Sequence, residues 1–307
     1  MASIILRAVS LALMILVGIV MRSTGFVDDK AGGYVKKILM YITLPASIVT
    51  NFSRIETLKG DMAALIFIGM AVNLFMIFAG ALLTKKQDKG EKAFYMNCLP
   101  AYNIGAFCLP FVQSFLPAMG SVAACLFDAG NSIMCTGGTY SISAEYLSEH
   151  KKGMDTRAFM KRLIASPPLV TYIVMIVLSL LHIKLPEAVY TLISPAASAN
   201  TFIAMLMIGL LFRMEFKKSY MVSILKVLGI RHVFAMVMSL LYYSALPFEL
   251  EVRQALVLVS FGPMSVVAPV FTGLCGGDEG KASAANSISI VFSVIEITVL
   301  LVVMGIY

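Results

Sequence analysis

Charge is scarce in this 307-residue sequence: Asp, Glu, Lys and Arg make up 13% of it, about half the share a soluble domain carries. With 59% hydrophobic residues and a mean hydropathy of +0.89, the composition excludes a water-soluble fold and indicates a polytopic membrane protein. The net charge of +7 does not point to nucleic acid, because the basic residues are scattered through short loops and form no face or arginine-rich tract. Cys98, Cys108, Cys125, Cys135 and Cys275 all fall in apolar segments. None stands in a Cys-x-x-Cys or Cys/His spacing, which argues against disulfides and a zinc site and for small core residues.

Catalytic signatures are missing too. There is no G-x-x-x-x-G-K-[ST], H-E-x-x-H or G-x-S-x-G, so neither an ATP-driven pump core nor an enzyme is expected. Gly276-Gly277-Asp278-Glu279-Gly280 reads as a turn, since no strand precedes it. His150 and His182 fall at loop edges and His232 near an interface, none with a metal-ligating neighbour. No small-x-small cleavage site follows Met1 to Arg22, which is therefore read as a first span and not as a signal peptide. No hydrophilic stretch is long enough for a separate soluble domain.

What remains is a series of ten apolar segments of about 20 residues, each long enough to span a bilayer. They run near 4–21, 34–51, 62–84, 93–116, 119–145, 165–182, 187–211, 227–247, 254–275 and 282–306. Lys and Arg crowd the odd-numbered loops, for example Lys85, Lys86, Lys89 and Lys92 in the third and Lys161 and Arg162 in the fifth. The even-numbered loops carry only Arg54, Lys59, Lys184 and Arg253. The bias places the odd loops in the cytoplasm and both termini outside. Lys226 and Arg231 read as snorkelling to the cytoplasmic face.

Five spans, a basic loop and five more spans would run in opposite directions. Weak echoes link span n to span n+5: Phe127-Asp128-Ala-Gly-Asn131-Ser-Ile with Ala282-Ser-Ala-Ala-Asn286-Ser-Ile, Pro45-Ala-Ser with Pro195-Ala-Ala-Ser, and Pro110-Phe-Val with Pro269-Val-Phe. The expected architecture is thus an inverted repeat. Its domains are 1–147, a cytoplasmic basic loop at 148–164, and 165–307.

Two segments should not be continuous helices. In the fourth, Pro100 and Pro110 each remove a backbone donor, Gly105 loosens the backbone between them, and Asn103 offers an amide at mid-depth. The ninth repeats the pattern with Gly262, Pro263 and Pro269. Irregular backbone at that depth survives only where it is buried in protein or lines a wet cavity. The half-helix beginning at Pro110 would present free N–H groups and partial positive charge, which suits an anion. A plain Pro-kinked structural helix is the simpler alternative. Matching interruptions in two halves favour a transporter site.

Acids deep in the membrane are costly and mark function or pairing. Asp128 and Glu296 qualify as carriers of a proton or cation, against the alternative of structural hydrogen bonds. Asp128 lies about a turn from Asn131, so the two share a face. Asn131 and Asn286 stand beside the broken segments, whereas Asn73 reads as helix-to-helix glue.

Ten spans, Leu44-Pro45-Ala46 in the second, and Asn103-Ile104-Gly105-Ala106-Phe107-Cys108-Leu109-Pro110 in the fourth resemble the auxin efflux carrier family. That family shows N-x-G-x-x-G-x-P at this place. Phe261-Gly262-Pro263 through Pro269, then Gly277-Asp278 and an Ala/Ser-rich last span, also fit. One departure is Cys108, which stands where the family has its second glycine. The resemblance, which covers essentially the whole chain, implies two inverted five-helix repeats with helices 4 and 9 broken and crossing. It implies a scaffold of helices 1, 2, 6 and 7 that forms a homodimer, and a transport domain of helices 3–5 and 8–10 that moves as an elevator. Asn103 matches the asparagine that contacts the substrate carboxylate in plant members. Bacterial relatives are associated with carboxylates such as malate or malonate, and the short loops suggest a bacterial inner-membrane member.

The expectation is therefore a secondary active or facilitative transporter of a small organic anion, malate, malonate or an auxin-like acid. Its substrate site is expected at Asn103, Gly105, Pro110, Gly262, Pro263 and Pro269. Ion coupling, by H+ or Na+, is expected at Asp128, Asn131, Asn286 and Glu296, with no other cofactor and no metal. Expected partners are the lipid bilayer, the carboxylate and a second copy of the chain. A sodium-coupled transporter similar to bile acid symporters and a non-transporting ligand receptor are the alternatives.

Overall fold

A computed structural model describes residues 2–54, 60–148, 156–213 and 217–306. Of the expected basic loop, Ser148 and residues 156–164 fall within these; His150, Lys151 and Lys152 lie outside the described residues, as does Lys59. The described chain is helical, with one isolated antiparallel bridge, Tyr102 to Met264. In hydrocarbon every backbone group must find a partner within the chain, which is what apolar helices provide.

Among the described residues, six helical stretches are long and apolar enough to cross a bilayer. Four are the single helices α1 (Ala2–Ser23), α11 (Glu187–Leu211), α12 (Lys218–Ala245) and α15 (Glu279–Val303). The fifth is α4 (Ala64–Leu83) with a short 3-10 turn before it. The sixth joins α7 (Ala118–Ile133) to α8 (Thr139–Leu147) through a π turn. Four other expected segments are interrupted or short. The second is α2 (Ala31–Ile38) and α3 (Leu44–Ser53) around a π turn. The fourth is α5 (Lys89–Cys98), an irregular stretch, a π turn at Ile104–Cys108 and α6 (Leu109–Phe115). The sixth and ninth follow below.

Two expectations need correcting. Part of the basic loop is a helix, α9 (Thr156–Ile164), bent by 75° from α10 (Pro167–Leu180). The bend falls at Ser166, whose extended backbone (φ −93°, ψ 103°) is what a residue before proline adopts. Taken together the pair gives a seventh candidate span. α12 begins at Lys218, well before the apolar run near 227, because its first turns carry polar residues that composition alone reads as loop. The ninth segment splits, as expected, into α13 (Leu250–Ser260) and α14 (Ala268–Leu274).

Packing sorts the helices into two groups. α11 lies against α1, α2 and α3, and α10 against α3. In the second group α4 lies on α5 and α7, α7 on α13, α13 on α12, and α14 on α5 and α15. Polar pairs brace the first group and its border: Thr43 donates to Asn200 at 3.1 Å, and the Gln113 amide donates to Ser47 at 2.8 Å and Asn51 at 3.0 Å. Between α4 and α7 the backbones meet at glycine. A Cβ on Gly130 would sit 1.9 Å from the Ile66 carbonyl oxygen, so this contact sets where Asp128 and Asn131 point.

Candidate functional site

The two interrupted segments meet at their breaks. Pro100 and Gly262–Pro263 stop α5 and α13, leaving residues 99–103 and 261–267 outside regular helix in the protein interior. Each buried backbone group there needs a partner. Some partners come from the opposite break: Asn103 N–H donates to Pro263 O and Ser265 N–H to Ala101 O, both at 2.9 Å. Others come from side chains. Ala101 N–H donates to Asn73 Oδ1 at 2.5 Å, and Met264 N–H to Ser289 Oγ at 3.0 Å. Ala101 holds a left-handed backbone (φ 61°), a strain of about 1–3 kcal/mol that the surrounding bonds must hold in place.

Asn131 does for Tyr102 what a neighbouring strand would do. Its Oδ1 accepts from Tyr102 N–H at 3.1 Å and its Nδ2 donates to Tyr102 O at 2.9 Å. The same Nδ2 donates to Asp128 Oδ1 at 2.8 Å, and Tyr172 O–H donates to Asp128 Oδ2 at 2.8 Å. The helical spacing of Asp128 and Asn131 thus brings them together as expected. Asn73, expected as glue, donates to Asn131 Oδ1 at 3.2 Å and Gly69 O at 2.8 Å, and so holds the break as well.

Arg231 overturns its sequence reading. It does not snorkel: it is 5% exposed, with its guanidinium 4.4 Å over the Tyr102 ring. One terminal nitrogen donates to the carbonyls of Cys98 (3.3 Å), Leu99 (2.5 Å) and Pro100 (3.2 Å), the other to Gly262 O at 3.0 Å. These are the carbonyls at the C-terminal ends of α5 and α13, where helix dipoles concentrate negative charge. Burying a charge costs several kcal/mol; four acceptors, two helix ends and an aromatic face offset it. The signal was hidden because every target lies on a distant part of the chain.

A second correction concerns the helix end expected to face an anion. The fourth segment resumes helical backbone at Ile104, with Asn103 (φ −84°, ψ 70°) just before it, and Pro110 falls inside the first turn of α6. The wide turn at Ile104–Cys108 tolerates a missing donor, so proline does not mark the start.

A cavity of about 440 Å³ opens beside this junction. Tyr102, Asn103 and Gly105 line it from the fourth segment, Asp128, Asn131 and Cys135 from α7 and the turn after it, and Ser265 from the ninth; Lys36 and Arg162 also line it. Asn103 is 6% exposed, and its amide nitrogen has no hydrogen-bond partner. A Cβ on Gly105 would stand 3.0 Å from Asp128 Oδ2. Pro110 and Pro269 are buried in the first turns of α6 and α14 and do not line the cavity. Gly262 and Pro263 supply the carbonyls described above. A Cβ on Gly262 would meet Cys108 Sγ at 2.6 Å, so this glycine makes room for the residue at the family's second-glycine position.

The remaining expected residues lie elsewhere. Asn286 does not line the cavity, and its buried Oδ1 has no hydrogen-bond partner. Glu296 pairs with His232 at 2.8 Å, a partner on another helix that the spacing along the chain did not show. Among the described residues no His/Cys/Asp/Glu group could hold a metal ion. A larger apolar groove of about 1030 Å³ between α4 and α12 contains none of the expected site residues.

The family described as membrane transport protein matches residues 3–301. The chain belongs to the auxin efflux carrier family. It is an integral membrane transporter and not an enzyme. No curated protein matches the chain. For this carrier, the auxin efflux family places the lipid bilayer and a small-molecule substrate among its partners.

Proposed function

We propose that this carrier moves a small organic anion of the malate or malonate class through the cavity beside the paired breaks. The observation that carries the reading is Asn103. Its buried amide nitrogen has no hydrogen-bond partner and lines a cavity that Lys36 and Arg162 also line. An unmet donor in a cavity that two basic side chains also line suits a carboxylate. Gly105, Pro110, Gly262, Pro263 and Pro269 shape the junction around it. Asp128, with Asn131, binds the coupling proton or sodium ion in the same cavity, and Asn286 lies outside it.

In this reading the chain has ten spans in two inverted repeats, 1–147 and 165–307, joined by the basic segment 148–164. The two packing groups support a scaffold of helices 1, 2, 6 and 7 and a transport domain of helices 3–5 and 8–10 that moves past it, with the scaffold forming a homodimer. In the same reading, which the charge bias supports, the basic loops lie in the cytoplasm of a bacterium and the termini outside the inner membrane, and the cavity, lined by Lys36 and Arg162, opens to the cytoplasm.

A thermal-shift screen of the purified protein in detergent tests this. Mono- and dicarboxylates are added with and without sodium at two pH values. A ligand at about 100 times its Kd stabilises the fold by roughly 2.7 kcal/mol. A carboxylate-specific shift that Asn103→Ala reduces at the same ligand concentration is expected. Shifts only with cationic or neutral amphiphiles sink the reading.

A further inference from the structure

Apart from the cavity, a second cluster of polar groups among the described residues is partly buried between helices, with the side chains of His232 and Glu296 21% and 24% exposed. Arg231, His232, Ser260, Ser289, Ser293 and Glu296 line a chamber of about 10 Å³, room for about one water molecule. It shares no lining residue with the larger cavity, yet it touches the paired breaks. Gly262 lines it, and Arg231 and Ser289 bond the breaks at Gly262 O and Met264 N–H.

His232 stands midway along α12 and Glu296 in the second half of α15, where ionisable groups are costly and mark function by default. The two contacts constrain their protonation. His232 Nδ1 lies 2.5 Å from Leu228 O, an oxygen that can only accept, so Nδ1 carries hydrogen. His232 Nε2 lies 2.8 Å from Glu296 Oε1, a contact that requires one proton between them. It is either Nε2–H against carboxylate or a carboxylic O–H donating to Nε2. In both forms the pair binds one proton. Its loss to water in the chamber leaves an imidazole lone pair facing a carboxylate, and the contact between α12 and α15 loses its bond.

Other charges on the packed elements are engaged or remote. Arg231 is the one further charged group lining the chamber, and Phe292 presents its ring at 5.5 Å. On α12, Lys226 lines the apolar groove. On α1, which packs on α15, Arg7 bonds Ser114 O and Arg22 bonds Asp29. On α13, Glu251 and Arg253 sit in the first turn, with Arg253 on Tyr243 O. Glu279 and Lys281 sit at the start of α15, Lys281 paired with Glu91.

We infer that the His232–Glu296 pair is a proton-binding site through which pH acts on the broken helices. Its transport arm rests on the carboxylate reading above; its binding arm does not.

The binding arm uses melting temperatures in detergent, without substrate, between about pH 6 and 9, across the range where a free imidazole and its neighbours titrate. A bound proton contributes stability while it is held and withdraws it when lost. The gap between wild type and Glu296→Gln is therefore expected to be widest in acid and to shrink as pH rises. His232→Asn should behave the same, and the double variant should lose no more than either single one. A gap that stays constant with pH overturns the inference, as does full additivity. In the transport arm, proteoliposomes take up malonate under an inward-directed proton gradient. Wild type is expected to respond to the gradient and Glu296→Gln to take up malonate with a smaller response, what remains being the share that Asp128 carries. A response kept in full in Glu296→Gln overturns the link to transport. No malonate uptake by wild type would overturn the carboxylate reading instead, and the melting arm would still decide the proton site.

Discussion

Two asparagines in the cavity are set opposite tasks. Asn131 commits its amide to Tyr102 and Asp128, whereas the amide nitrogen of Asn103 meets nothing. Asn131→Ala should therefore destabilise the protein by roughly 1–3 kcal/mol for each backbone group it orphans, measured as a fall in unfolding temperature in detergent. Asn103→Ala should melt like wild type and bind the carboxylate about 10- to 100-fold more weakly, the loss of one charge-assisted hydrogen bond. At the far end of α5, Asp88 caps the helix by accepting from Glu91 N–H at 2.9 Å, and that bond holds its carboxyl below the usual range. A carboxyl lowered on folding stabilises above the unfolded value of about 3.9 and loses that contribution as pH falls. Asp88→Ala should cost about 1 kcal/mol near neutrality, with the difference from wild type closing below about pH 4. At this scale the sequence is legible where partners are close along the chain. Asp128 and Asn131 are one turn apart and read directly. Arg231 and the His232–Glu296 pair do not, because their partners lie on other helices.

At the scale of elements, prolines and glycines announced both interruptions, and the helices split where Pro100 and Gly262–Pro263 stand. The restart of the fourth segment did not show, since a π turn at Ile104–Cys108 resumes the helix ahead of Pro110. Nor did the helix α9 inside the basic loop, whose charges masked its backbone. The closeness of the breaks gives a prediction. Gly262→Ala would place a methyl 2.6 Å from Cys108 Sγ, an overpacking that costs about 1–3 kcal/mol. Cys108→Gly in the same protein should restore much of the loss, read as recovery of melting temperature. Equal loss in the single and double variants would assign the clash to the Val259 carbonyl, 3.0 Å from the same position.

Across the whole molecule, composition was enough for an all-helical membrane protein, and the segment boundaries near α11 and α15 were close. How the two helix groups pack was beyond it, because a face buried against protein is as apolar as one facing lipid. One cysteine offers a test at this scale. Cys135 lines the cavity and is half-buried, while Cys98, Cys108, Cys125 and Cys275 are buried. N-ethylmaleimide should label Cys135 faster from the side bearing the basic loops, and malonate should slow that labelling; equal labelling from both sides would contradict the cytoplasmic opening.

Arg231 also sets an order of synthesis. Its three acceptors at the end of α5 precede it by 131 to 133 positions, so at ribosomal speeds of about 5–20 residues per second they wait some seconds for it. Until α12 is made, the first half of the chain carries bare carbonyls inside the bilayer. A nascent chain cut off after α11 cannot close that gap from its own residues. The arginine thereby makes completion of the first break conditional on arrival of the second half of the chain.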